Sequence, residues 1–256
     1  MDSDNGQLQA IRAYWNGHIH DLEIATAPLG SSGFFRELEA YRYDKLRYLP
    51  AILDSSASVG IRMLEIGCGV GTDLARFARA GAATVGIDLA EVAVDLARTN
   101  FQLQGLAGEF HVMNGEELPW DNESFDFVYA HGVLQYTADP DRMVREIHRV
   151  LKTGGQAVLM MYNRRSWLHW MSRWVRVPLE HEDAPVYLRV TSSEFRRLLK
   201  PFREVRIVPE RFPVPTKLHG GLKALLYNHV FVRAFQWLPR RWVRPLGWHL
   251  VGFAEK

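Results

Sequence analysis

A glycine-rich turn between two regular elements constrains the fold of this chain more than any other feature. The stretch LEIGCGVGTD covers residues 64–73 and contains Gly67, Gly69 and Gly71. It follows a short apolar run that predicts a buried strand, and it precedes residues 72–80, whose apolar positions keep helical spacing. Glycine at such a turn lets the backbone come close to a ligand. The turn therefore predicts a ligand site at the carboxyl end of the first strand of a parallel sheet.

Strands and helices alternate after this turn. The stretches ATVGID, EFHVMN, FDFVYA and GGQAVLMMY predict strands two to five, and amphipathic helices follow several of them. The alternation loosens after Tyr162, until a helix at 192–200 and the strands EVRIVPE and GWHLVGFAEK restore it. This order predicts an α/β fold, namely a Rossmann-like, doubly wound, seven-stranded sheet with helices on both faces.

Other segments predict additions to the sheet. Residues 1–60 have helical patterns with a Gly/Ser break, which indicates an N-terminal helical cap. Residues 61–256 are expected to form the sheet domain. Within it, insertions are expected at about 163–190 and 211–247, where the alternation is interrupted.

Composition limits the class of protein. The chain has 256 residues, of which 47% are hydrophobic and 23% charged, and this composition excludes a disordered chain. The polar start does not resemble a signal peptide, and no stretch approaches the roughly 18–20 apolar residues of a membrane span. A single cysteine, Cys68, excludes an internal disulfide and fits a reducing compartment. We expect a cytoplasmic protein, and no metal site is predicted.

Charge is distributed unevenly along the chain. Residues 1–162 contain 13 Lys/Arg against 22 Asp/Glu, whereas residues 163–256 contain 18 against 7, together with six of the eight tryptophans. This basic, aromatic third predicts either a solvated arginine face over an aromatic core or contact with an anionic surface. Residues 222–246 mix Leu, Phe, Trp and Arg, so peripheral contact with a membrane surface is one of these alternatives.

The acidic residues around the turn select among nucleoside cofactors. The turn has the spacing G-x-G-x-G, in which the third glycine comes one residue earlier than in the dinucleotide fingerprint. Glu65 precedes the turn, where it would repel a pyrophosphate and attract a cationic group. Asp88 ends the second strand 21 residues after Gly67, where a carboxylate accepts hydrogen bonds from ribose hydroxyls. A nicotinamide-dependent oxidoreductase stays an alternative, although both the spacing and Glu65 argue against it.

Four stretches match a known family pattern in order. They are LEIGCGVGTD, VGIDLA, NGEELPWDNESFDFVYAHGVLQYTADP and EIHRVLKTGGQAVL, over roughly residues 62–160. On these stretches the chain resembles class I S-adenosylmethionine-dependent methyltransferases, especially those of the ubiquinone/menaquinone-biosynthesis type. The resemblance implies S-adenosyl-L-methionine as cofactor and a small-molecule or lipid-like methyl acceptor. It favours O- or C-methylation over N-methylation.

The resemblance also implies roles for the residues of the turn and its neighbours. Gly67, Gly69 and Gly71 would line the methionine and ribose portions of the cofactor. Glu65 would orient the turn or meet the cofactor's ammonium group. Asp88 would accept hydrogen bonds from both ribose hydroxyls.

Further roles follow from the ends of the second, third and fourth strands. Leu89 would pack on the adenine ring. Asn114, followed by Gly115 and Glu116, stands where the family usually carries an aspartate that accepts from the adenine amino group, and an amide oxygen can accept there as well. His131, at the end of strand four, would reach the methionine side. It is also the best-placed candidate for a general base, the alternative being that it contacts cofactor only.

The N-terminal segment has two interpretations. It could close over the cofactor, with aromatic faces toward the sulfonium and Arg42 on the cofactor carboxylate, or its aromatic residues could pack a helix on the sheet. The cluster comprises Tyr14, Trp15, Phe34, Phe35, Tyr41, Arg42 and Tyr43.

Two other functions compete with this one. The basic C-terminal third leaves a methyltransferase acting on RNA or protein as an alternative. A nucleic-acid acceptor is disfavoured because the chain has YAHG where amino-methylating nucleic-acid enzymes commonly carry N-P-P-Y or D-P-P-Y. A non-catalytic, S-adenosylmethionine-binding partner subunit is the second alternative, against which the presence of Asp88 and the glycines argues.

Overall fold

A mixed sheet forms the centre of the molecule. The computed structural model describes residues 2–19, 22–56, 59–175, 179–215 and 225–256. The strands are β1 (Arg62–Ile66), β2 (Ala83–Asp88), β3 (Glu109–Val112), β4 (Phe125–His131), β5 (Leu151–Asn163), β6 (Arg189–Val190), β7 (Glu204–Glu210) and β8 (His249–Glu255). Their order is β3-β2-β1-β4-β5-β8-β7, with the two-residue β6 beside β5. All pairs are parallel except those of β8, which is antiparallel to both β5 and β7. The α/β prediction is confirmed, and β6 is an addition to the seven strands predicted.

Helices connect these strands and precede them. They are α1 (Asp2–Gly17), α2 (Ser32–Lys45), α3 (Leu49–Ser56), α4 (Thr72–Arg79), α5 (Glu91–Gln104), α6 (Pro140–Val150), α7 (Trp167–Val175), α8 (Ser192–Leu198), α9 (Val232–Trp237) and α10 (Arg240–Val243). A π-helical turn, Tyr227–Phe231, runs directly into α9. Parts of the two predicted insertions, residues 176–178 and 216–224, lie outside the described residues.

Strand β1 shows why the sheet is covered on both faces. Met63 and Leu64 are both fully buried, although their side chains leave the sheet in opposite directions. Met63 belongs to a core cluster with Phe77 of α4, and Leu64 belongs to a different cluster with Ile147 of α6. A strand buried on both faces carries apolar residues at consecutive positions, as Met63 and Leu64 do here.

The N-terminal helices lie against the glycine turn. Phe34, Phe35 and Leu38 of α2 are buried in a small cluster with Val70 of the turn and Leu96 of α5. The N-terminal segment therefore shares a core with the sheet domain. None of the helices in the described ranges has the length and apolar composition needed to cross a bilayer.

Candidate functional site

A cleft opens where the parallel strands end. Strand β1 ends at Ile66, β2 at Asp88 and β4 at His131, and the parallel register places these ends at one edge of the sheet. The cleft encloses about 1450 Å³, including the part open to solvent. Its lining includes most of the residues predicted from the sequence: Glu65, Gly67, Gly69, Asp88, Leu89, Asn114, Gly115, Glu116 and His131. We call the part formed by Glu65, Gly67, Gly69, Asp88 and Leu89 the motif end.

Each of the three positions in the turn is occupied by glycine for a different structural reason. All three have positive φ, at 69°, 52° and 74° for Gly67, Gly69 and Gly71. A Cβ on Gly67 would lie 2.2 Å from Cγ2 of Val133, so a side chain there would collide with the loop after β4. A Cβ on Gly69 would meet no atom within 4 Å, which leaves its backbone open to the cleft. Gly71 caps α4 and packs on Ala97, and it does not line the cleft.

Asp88 holds the turn in place. Its Oδ2 accepts a hydrogen bond from the Gly69 backbone N–H at 3.0 Å, and its Oδ1 accepts from the Ala90 backbone N–H at 2.9 Å. Burial raises the pKa of this carboxyl above its ordinary value. Since each carboxylate oxygen has a second acceptor site, Asp88 can also accept from hydroxyl groups in the cleft.

Glu65 presents an unsatisfied oxygen. The residue is 4% exposed and lines the cleft, and its Oε2 makes no hydrogen bond within the described part of the chain. Burial raises the pKa of the Glu65 carboxyl well above its ordinary value, and the neighbouring Asp73 raises it further. A buried carboxyl oxygen without a partner is costly, and a cationic group in the cleft would satisfy it.

The residues after β3 are partly used by the protein itself. Asn114 Oδ1 accepts from the Glu116 backbone N–H at 3.0 Å. Glu116 Oε1 accepts from the backbone N–H groups of Ala138 and Asp139, at 2.9 and 3.1 Å, and from the Thr137 hydroxyl. Glu116 thus braces the loop after β4 while it lines the cleft. Cofactor contacts by these two residues stay predictions.

An ion pair between the partly buried Arg42 and the buried Asp73 joins the N-terminal segment to the start of α4, directly after the glycine turn. Arg42 donates from Nε to Asp73 Oδ1 at 2.8 Å and from Nη2 to Asp73 Oδ2 at 2.5 Å, and the Tyr129 hydroxyl donates to the same Oδ2 at 2.9 Å. Burial opposes ionisation of Asp73, but the Arg42 guanidinium outweighs it and lowers the pKa of Asp73. The sequence offered Arg42 as a partner for a cofactor carboxylate, whereas the structure pairs it with Asp73. The role of Asp73 was missed, although it is the last residue of LEIGCGVGTD.

The sequence also does not indicate a second polar group, which lies around His131. The Tyr48 hydroxyl lies 2.7 Å from His131 Nε2 and 2.5 Å from His249 Nδ1, and it therefore bridges the two rings. Arg42 Nη2 lies 3.4 Å from His131 Nδ1. Both ring nitrogens of His131 thus face protein groups. Desolvation and the Arg42 charge lower the pKa of His131 to about 3, so its ring is neutral at physiological pH. The base role of His131 stays a prediction, and these contacts favour positioning instead.

Aromatic and charged side chains line another part of the cleft. We call this part the aromatic end, and it comprises Lys45, His131, Tyr136, Tyr162, Glu180, Arg211 and His249. The hydroxyls of Tyr136 and Tyr162 are 3.1 Å apart, and the Tyr162 ring stacks on His249 at a centroid distance of 5.7 Å. Arg211 Nη1 lies 3.2 Å from His249 Nε2. Lys45 Nζ donates to Glu180 Oε1 at 2.6 Å.

No group of three or more His, Cys, Asp or Glu side chains among the described residues is arranged to hold a metal ion.

Comparison with known proteins agrees with this geometry. A family model described as "Methyltransferase domain" matches residues 64–159. The chain is 37% identical over 105 residues to a ubiquinone biosynthesis O-methyltransferase of Ruegeria pomeroyi, covering 41% of this chain and 42% of that protein. It is 34% identical over 156 residues to the protein of the same name from Xanthomonas oryzae pv. oryzae, covering 58% and 64%.

A solved structure shows the same fold. Geranyl diphosphate C-methyltransferase from Streptomyces coelicolor, in complex with Mg²⁺, geranyl diphosphate and S-adenosyl-L-homocysteine, has a TM-score of 0.59 and 16% identity, and the match covers 97% of each chain. The chain spans 42% and 64% of the length of the two ubiquinone biosynthesis O-methyltransferases described above.

Proposed function

We propose that this chain, which belongs to the class I S-adenosylmethionine-dependent methyltransferases, methylates an oxygen of a small aromatic acceptor. The observation that carries the proposal is the cleft itself. A glycine turn flanked by two acids and a wall of aromatic rings with nearby cations meet in one cavity.

The motif end supports cofactor binding. The unsatisfied Oε2 of Glu65 fits the ammonium group of S-adenosylmethionine, and the carboxylate of Asp88 fits its ribose hydroxyls. The open backbone at Gly69 leaves room beside them. When bound, the cofactor supplies an electrophilic methyl group on a positively charged sulfur.

The residues of the chain contribute mainly by placement. Holding two reactants in line converts a bimolecular step into an effectively unimolecular one, and this alone can supply much of the rate enhancement. Tyr48 fixes the His131 and His249 rings, and the Arg42–Asp73 pair fixes the start of α4 beside them. The acceptor would lie at the aromatic end of the cleft, next to these fixed groups.

The aromatic end supports the choice of acceptor. Tyr136 and Tyr162 are among the residues that line this end of the cleft, and aromatic side chains there suit contact with an aromatic acceptor. Lys45 and Arg211 line the same end, and cations near an acidic hydroxyl favour its ionised, more nucleophilic form. The name of the two relatives, ubiquinone biosynthesis O-methyltransferase, also supports oxygen as the methylated atom.

Calorimetric titration with S-adenosylhomocysteine tests the cofactor half of the proposal. The wild-type chain should bind, and Asp88→Ala should lose detectable binding while keeping its circular dichroism spectrum. Asp95→Ala, which removes an exposed carboxylate from the neighbouring helix α5, is the matched control and should bind as the wild type does. Undiminished affinity in Asp88→Ala would show that the ribose lies elsewhere.

A transfer assay tests the acceptor half. Methyl-labelled S-adenosylmethionine is incubated with the chain and a panel of phenols and catechols, with saturated cyclic alcohols of similar size as controls. Label should enter the ether oxygen of the aromatic compounds only. Label on ring carbon, or equal labelling of the saturated alcohols, would contradict the proposed acceptor class and leave the cofactor assignment intact.

A further inference from the structure

The helical segment of residues 225–246 is attached to the rest of the molecule by one face. The rings of Tyr227, Phe231 and Phe235 surround Trp167 of α7, with centroid distances of 6.4, 5.9 and 6.4 Å. Val232 is 2% exposed. Trp167 is itself buried, and its indole N–H donates to the Arg211 carbonyl at 2.9 Å. This inner face is therefore firmly packed.

The opposite face is apolar and uncovered. Leu226, Val230, Arg233 and Trp237 follow one another at spacings of four, three and four residues, which places them on one side of a helix. Leu226 is 50% exposed, Val230 59% and Trp237 90%. We call these four residues the outer stripe. An ordinary surface helix exposes polar residues here, so the outer stripe requires a separate explanation.

The stripe continues into the next turn with the same chemistry. Leu238 and Trp242 are also exposed, and the Arg241 guanidinium lies 5.8 Å from the centre of the Trp242 ring. Residues 225–246 contain four arginines and no aspartate or glutamate. Exposed tryptophan and leucine side chains interleaved with arginine match the chemistry of an anionic bilayer surface, where rings enter the interface and guanidinium groups meet phosphates.

We infer that the outer stripe, together with Trp242 and Arg241, docks this chain on an anionic lipid bilayer. The exposed Arg233 and Arg241, in a segment that contains no aspartate or glutamate, favour an anionic bilayer over other partners. A second copy of the chain would bring like charges together, and a nucleic acid would leave Leu226 and Val230 in water. The helix would lie in the plane of the interface. This inference does not depend on methyl transfer.

Vesicle flotation tests the docking. The chain of 256 residues is mixed with vesicles of phosphatidylcholine alone or of phosphatidylcholine with phosphatidylglycerol. It should float with the anionic vesicles and stay in solution with the neutral ones, and added salt should release it. Equal behaviour with both kinds of vesicle, or no flotation with either, would overturn the inference.

Variants locate the contact on the molecule. Trp237→Ala and the double variant Arg233→Glu/Arg241→Glu should each weaken partition onto anionic vesicles, the double variant by about tenfold or more. The matched controls are Leu103→Ala on α5 and Arg145→Glu on α6, which alter exposed residues of the same kinds elsewhere. They should partition as the wild type does. If the stripe variants bind like the controls, the docking surface is not the outer stripe.

Two measurements distinguish docking on a bilayer from self-association of the chain and from misfolding of a variant. In sedimentation velocity without lipid, the sedimentation coefficient should not change with protein concentration. If the chain instead dimerises as its concentration rises, and Trp237→Ala abolishes the dimer, the outer stripe binds a second copy of the chain and not a bilayer. S-adenosylhomocysteine should raise the melting temperature of every variant as it does for the wild type. Flotation without any such shift in the wild type would defeat the proposed function and leave the docking in place.

Discussion

The motif end and the aromatic end of the cleft are built from different kinds of sequence relationship. At the motif end, Gly69 and Asp88 are 19 residues apart and are brought together by two adjacent parallel strands. At the aromatic end, Tyr48 contacts His131 across 83 residues and His249 across 201. One end thus depends on a local turn between neighbouring elements, whereas the other depends on three distant segments meeting correctly.

This difference indicates which end of the cleft has a stable geometry and which end determines acceptor specificity. Local turns keep their geometry as long as β1 and β2 pair, so the motif end can be shared by proteins with different acceptors. The aromatic end changes whenever a distant segment changes. The Arg42–Asp73 pair connects the two, because Arg42 also reaches His131.

The largest expected effect comes from breaking this connection. Arg42→Ala leaves the Asp73 carboxylate buried without its ion pair, which should lower the free energy of unfolding by about 3–5 kcal/mol. The control is Arg47→Ala, which removes an exposed pair with Asp44 and should cost about 0–1 kcal/mol. Urea denaturation measures both. A loss for Arg42→Ala no greater than that of the control would mean that this pair does not stabilise the fold.

The sequence places the residues of the motif end together because the determinants of this end are local, and their contacts with a cofactor stay predictions. The spacing of Gly67, Gly69 and Asp88, each at a strand end, follows from the alternation of apolar runs and glycines. Gly71 was placed correctly in the turn, but the sequence could not separate its contact with Ala97 from a contact with ligand. That distinction depends on how α4 approaches α5.

The aromatic end could not be predicted in the same way. Nothing near Tyr48 in the sequence indicates that it meets two histidines, because that meeting depends on the pairing of β8 beside β5. Even so, Tyr162 and His249 are directly paired in that register, so pairing the predicted closing strand with strand five would have placed these two residues side by side. Asp73 was within reach of sequence reasoning, since it belongs to the quoted motif.

Removing the hydroxyl that bridges the two histidines tests how far a contact between distant segments stabilises the aromatic end. Tyr48→Phe leaves His131 Nε2 and His249 Nδ1 without this partner, so the free energy of unfolding should fall by about 1–3 kcal/mol. Tyr187→Phe is the matched control, because the Tyr187 hydroxyl is buried and makes no hydrogen bond among the described residues. It should be neutral or slightly stabilising. Thermal unfolding compares the two, and equal losses would remove the special role of Tyr48.

Cofactor affinity should depend on pH through the motif end. The pKa of Glu65 is raised in the free chain, and a cationic group beside Oε2 would favour the ionised form. Binding should therefore release a proton, and affinity should rise with pH by up to about tenfold per unit, becoming constant above the raised pKa. Calorimetry of S-adenosylmethionine in buffers of different ionisation enthalpy measures the proton.

The comparison variant for this pH dependence is Glu65→Gln. It should release one proton fewer, and its affinity should vary less steeply with pH, because the carboxyl whose pKa is raised by burial is gone. An unchanged proton count in Glu65→Gln would mean that the cationic group does not lie beside this carboxyl.

The smallest effect is expected at His131. Because the pKa of His131 is lowered to about 3, the ring is neutral across the working range and should contribute no inflection near the ordinary histidine pKa of about 6.5. His131→Gln, whose amide can still bond to the Tyr48 hydroxyl, should lower kcat less than about tenfold, whereas loss of a general base typically costs about 10²–10⁴. The measurement is the pH profile of kcat for both proteins with an acceptor identified in the transfer assay. A loss of a hundredfold or more, together with the disappearance of a protonation step, would restore His131 as the base. In that case the aromatic end would take part in proton transfer. A small loss of kcat would mean that it contributes by positioning the acceptor.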